Sequence, residues 1–63
     1  MKNKSYIQEQ LERVETMSTN LIQDVEGNRS YVNQQYIIER LEYIKRTTLA
    51  ALERLQLEDD NNY

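Results

Sequence analysis

An apolar pattern spaced by alternating fours and threes runs through this chain on both sides of one glycine, Gly27, and no proline interrupts it. That pattern constrains the fold more than any other feature. Steps of four and three keep side chains on one stripe of an α-helix, and the repeat of seven is the seam of a coiled coil or bundle. Before the glycine the seam reads Ile7, Leu11, Val14, Leu21 and Val25, with Ser18 in the missing step. After it the seam reads Ile37, Leu41, Ile44, Thr48, Ala51 and Leu55. Met17 and Ile22 widen the first stripe, and Tyr31, Ile38 and Leu52 the second, toward the broad face of a globular bundle helix.

Local signals place the ends. Ser5 followed by Gln8 fits a capping box and predicts a first helix over about residues 5–26. Gly27 is expected to take the positive φ that stops a helix, with Asn28 also able to do so. The turn then covers 27–30, with Ser30 the N-cap candidate for the second helix and Asn28 its competitor. The second helix is expected over about 31–57. Residues 58–63, Glu-Asp-Asp-Asn-Asn-Tyr, are expected to form a mobile acidic tail, because acids at a helix C-terminus oppose the macrodipole. So short a turn forces the helices antiparallel. The fold class is therefore all-α: one antiparallel helical hairpin, with arms of roughly 33 and 40 Å. Folding back at Gly27 sets Leu21 near Ile37, Val14 near Ile44 and Ile7 near Ala51.

Two helices cannot dehydrate both broad stripes. The strip left in water implies a binding surface, and a two-fold dimer forming a four-helix bundle is the simplest way to cover it. Size points the same way. A single core in a chain of 63 residues yields only about 3–5 kcal/mol, and small proteins make up the difference with disulfides, metals or association. With neither cysteine nor histidine in the chain, association is the expected route. A homodimer is expected, with another protein as a possible further partner. All five aromatics are tyrosines, and Tyr36, Tyr43, Ala50 and Leu57 repeat every seven residues on a face other than the seam. This stripe is a candidate surface for a partner protein, since tyrosine is favoured at interfaces.

Other chemistry finds little footing. Without histidine or cysteine there is no His base or Cys nucleophile, and enzyme activity is not expected. Glu9, Glu12 and Glu15, and Glu39 with Glu42, lie off the seam and lack the histidines of a dimetal bundle site. No phosphate-binding glycine loop occurs. No catalytic residue, cofactor, metal or small-molecule substrate is expected. The net charge of −3 and pI near 4.8 argue against general affinity for nucleic acid or anionic lipid. No apolar run nears the ~18 residues of a membrane span, and the basic N-terminus is not followed by the apolar stretch of a secretory signal. A cytoplasmic location is expected.

The layout of two helices around one turn resembles the Rop family of dimeric helical hairpins. That resemblance implies a four-helix bundle that modulates RNA pairing through a polar-basic surface on the paired first helices. The first helix here carries Lys2, Lys4 and Arg13 against Glu9, Glu12, Glu15, Asp24 and Glu26. Arg40, Lys45, Arg46 and Arg54, with Tyr36 and Tyr43, are the residues a nucleic-acid role would use, and Glu39, Glu42 and Glu53 interleave with them. The leading expectation is a small, non-enzymatic interaction or regulatory protein that self-associates through its seams. The alternatives are an RNA- or DNA-binding hairpin dimer, or a subunit completed by a different protein.

Overall fold

The computed structural model describes residues 3–61, and the side chains of 3–57. Two helices, α1 (Lys4–Glu26) and α2 (Gln34–Asn61), pack against each other as an all-α hairpin. Its principal extents are 51 × 17 × 11 Å, the dimensions of two helices side by side. The direction of packing follows from two contacts across the helices. Asp24 bonds Tyr36 beside the turn, and Arg54 lies over the Tyr6 ring at the far end. The helices are therefore antiparallel.

The ends differ from the sequence expectation in ways the backbone explains. Helix α1 starts one residue early: Ile7 N–H donates to the Asn3 carbonyl at 2.9 Å. Ser5 thus lies inside the helix and is not its cap. Gln8 donates its side-chain amide to Glu12 instead of reaching back. At the other end Gly27 does not take a positive φ. It stays right-handed at φ −77°, its N–H donating to the Gln23 carbonyl. The left-handed residue is Asn28, at φ 54°, which tolerates that region better than other side chains. Asn28 N–H then donates to the Val25 carbonyl.

Ser30, Tyr31 and Val32 belong to the connection, and α2 begins three residues later than expected. The cap is Asn33. Its Oδ1 accepts the Tyr36 N–H at 2.8 Å, and its carbonyl accepts the Ile37 N–H. This is N-cap geometry, and it satisfies one of the donors a helix start leaves over. A turn closed by Val32 N–H on the Arg29 carbonyl fills the space between. Helical backbone also continues to Asn61, through part of the expected tail. Each added residue of an established helix gains a hydrogen bond, and the dipole cost of acids is a few tenths of a kcal/mol to about 1. Asn62 and Tyr63 lie outside the described residues.

Packing divides the seam. Ile7, Leu21 and Ala51 are buried, at 6%, 8% and 1% exposure. Val14, Ile37, Ile44 and Leu55 are half-buried. Leu11, Val25, Leu41 and Thr48 are exposed. The reason is rotation: each helix turns one flank of its broad stripe toward the other, drawing in Gln10, Met17, Thr47 and Ala50. The near-complete burial of Ala51 marks a close approach that a larger side chain would obstruct. Thr48 instead faces outward, its hydroxyl donating to the Ile44 carbonyl at 2.8 Å.

Candidate interaction surfaces

The rotation leaves an apolar strip on each helix, and the geometry of a hairpin decides where the strips lie. On α1 the strip is Leu11, Ile22 and Val25, which follow the buried line of Ile7, Val14 and Leu21 in one rotational sense. On α2 it is Ile38, Leu41 and Leu52, which follow Ile37, Ile44 and Ala51 in the same sense, with Leu49 at the margin. Antiparallel helices packed side by side are related by a local two-fold across their axes. Equal rotational offsets therefore bring both strips to one face of the hairpin. Seven large exposed apolar side chains share that face. Thr48 lies among them, exposed, and Ser18, half-buried, is the small residue of the α1 side.

The opposite face carries the tyrosines of the two helices, Tyr6, Tyr36 and Tyr43. Tyr36, Tyr43 and Ala50 precede Ile37, Ile44 and Ala51 by one residue, which turns them the other way around α2. Tyr6 stands in the same relation to Ile7 on α1. The Asp24 carboxylate is held there by two phenols. Tyr36 Oη donates to Oδ2 at 2.7 Å and Tyr31 Oη to Oδ1 at 2.9 Å. The two rings meet edge to face with centroids 5.4 Å apart. Bonds from Tyr36 first, then Tyr31, hold the Asp24 carboxyl below its ordinary value of 3.8. The same bonds hold both phenols above their ordinary 10.0, since ionising either would set it against the carboxylate.

Two guanidiniums lie over rings on this face, Arg40 over Tyr36 at 5.2 Å and Arg54 over Tyr6 at 5.1 Å. Tyr43 is exposed and lines a shallow groove with Arg13, Thr16, Met17, Glu9 and Glu12. The stripe is thus not uniform. Tyr36 is tied into the hairpin, Ala50 is half-buried, and Tyr43 and Leu57 are exposed. The Asp24 clamp was not anticipated from sequence. The pairing of Leu21 with Ile37 expected from the seam sets Asp24 opposite Gln34; with α2 beginning at Gln34, the Asp24 carboxylate instead meets Tyr36, two positions further along. Asn33 had a local signal, an Asx residue three positions before a helical N–H, which the nearer Ser30 obscured.

Among the described residues, no three acids gather as they would around a metal ion, and no helix is long and apolar enough to cross a membrane. Comparison of the chain with family models, curated proteins and solved structures finds no match.

Proposed function

We propose that this protein is a small, non-enzymatic interaction protein of regulatory or adaptor type. In this reading it self-associates by covering the apolar face with the same face of a second copy, giving a four-helix bundle. The observation that carries the proposal is the shared face itself: strips on two helices that converge on one side. A second copy suits as the occupant because it presents a matching apolar strip on each of two helices, and a hairpin face of 51 by 17 Å is of the order of the ~800 Å² each partner contributes to a standard interface. The tyrosine face would stay outside the bundle, with Tyr43 and Leu57 open to another protein.

A nucleic-acid role finds less support. Arg40 and Arg54 already lie over tyrosines of the chain, and the Tyr36 hydroxyl is held by Asp24. Light scattering behind size exclusion over a concentration series, with far-UV circular dichroism on each fraction, tests the proposal. A helical species near twice 7.6 kDa is expected. A fully helical monomer throughout would overturn self-association, and a poorly helical monomer would assign the face to a different protein.

A further inference from the structure

Two hairpins can cover one another's apolar faces with their turns at the same end or at opposite ends, and the two arrangements bring different residues together. Resting on the dimer just proposed, we infer that the turns lie at the same end. In that arrangement α1 packs on the partner's α2.

The argument starts from register. Stepping equally along both helices from the Asp24–Tyr36 bond leads to Tyr6 and Arg54, which also touch. Register therefore holds along the whole hairpin, and the same stepping brings Glu15 level with Lys45. Both residues are exposed. Each borders the apolar face on its outer edge, following Leu11 and Leu41 by four positions. Within one hairpin they stand on opposite edges, separated by the width of both helices.

A two-fold parallel to the bundle axis preserves height and lays α1 over the partner's α2. Glu15 then faces the partner's Lys45 across the rim, and symmetry repeats the pair. The other rim charges meet neutral amides that bond either sign: Lys4 lies level with Gln56 and Glu26 with Gln34. Inside the rim Ile22 meets the partner's Ile38, and Leu11 meets the partner's Leu49. Ser18 faces the larger Leu41, a small-against-large fit.

The opposite-end arrangement lays α1 on α1 and α2 on α2, and with the two hairpins fully overlapped its two-fold lies level with Glu15 and Lys45. It matches Ile38 with Leu52 and Leu41 with Leu49, and pairs Lys4 with Glu26 near the ends, so it is a genuine competitor. Yet it sets Glu15 beside the partner's Glu15 and Lys45 beside the partner's Lys45 at the centre. It also leaves Ile22 and Val25 against the polar first turns, near Gln8 and Ser5. The same-end arrangement likewise sets Leu52 level with Gln8 and Val25 level with Gln35, so apolar matching does not separate the two. What favours the same-end arrangement is that it sets opposite charges, and not like ones, at the centre of the rim.

The chain has no cysteine, so Ser30→Cys in the exposed connection gives a single spin-label site. Electron–electron resonance on the labelled dimer is expected to show about 20–30 Å between labels, since packed helices lie about 10 Å apart and the labels add their own length. Glu15→Gln and Lys45→Gln give an independent reading. Each removes two exposed ion pairs and is expected to weaken the dimer about threefold to fivefold. Their effects on net charge are opposite, so weakening by both cannot come from net charge. A label distance near the 51 Å length of the hairpin, or tighter dimers in both variants, would overturn the arrangement while leaving the dimer standing. A monomer at every concentration would overturn both.

Discussion

Leu41 and Leu57 offer a matched comparison. In the hairpin they are equally exposed, at 51% and 50%, but Leu41 lies on the apolar face and Leu57 on the tyrosine side. Replacing each by glutamine, a good helix former, isolates what the face does. Full burial of a leucine contributes about 1.5–3 kcal/mol. About half of Leu41 is already covered in the hairpin, so a covering partner adds about 1 kcal/mol per copy. Placing an amide there costs about another 1 kcal/mol. Over two copies the loss is about 4 kcal/mol, or about three orders of magnitude in dissociation constant. Leu41→Gln is thus expected to shift the dimer to monomer at micromolar concentration and to lower helicity with it. Leu57→Gln is expected to stay within about threefold of the parent, a difference worth less than 1 kcal/mol. Sedimentation equilibrium with circular dichroism on the same samples reads both quantities. A Leu41→Gln variant that remained dimeric and fully helical, or equal losses in the two variants, would refute the assignment of the apolar face.

Ala51→Leu puts extra methylenes where the helices approach most closely, and is expected to cost about 1–3 kcal/mol in thermal unfolding. A variant of unchanged stability would show that the close approach is not a constraint. Asn33→Ala removes the cap on α2 and is expected to cost about 1 kcal/mol in a urea titration. Ser30→Ala is expected to be near neutral in the same urea titration, because Ser30 caps nothing. Tyr36→Phe deletes the shorter bond to Asp24 and is expected to lower the melting temperature in a pH-dependent way. The carboxyl is depressed in the folded state, so its contribution is present above 3.8 and lost as pH falls through the folded value. The phenols are raised, so their contribution is present below 10.0 and lost as pH rises through the folded values. The gap in melting temperature between parent and variant should therefore be widest between these limits and narrow outside them. A gap independent of pH would show that the clamp contributes only packing.

Much of the architecture is a local consequence of sequence. The four-and-three spacing and the lack of proline dictate two long helices, because each step repeats on one stripe whatever else is nearby. The single glycine with Asn28 marks the reversal, although the left-handed residue proves to be the asparagine. Helix ends were less legible, since Ser5, Ser30 and Asn33 all have capping chemistry and only the path of the connection selects Asn33. Tertiary structure alone decided the rest. A periodic stripe says which residues share a helix face but not how far each helix is rotated about its axis when the two meet. That rotation divides one seam into a buried line through Ile7, Leu21 and Ala51 and an exposed line through Leu11, Val25 and Leu41. It also sends Tyr6, Tyr36 and Tyr43 to the other side, where register, not sequence proximity, brings Asp24 to Tyr36 and Arg54 to Tyr6.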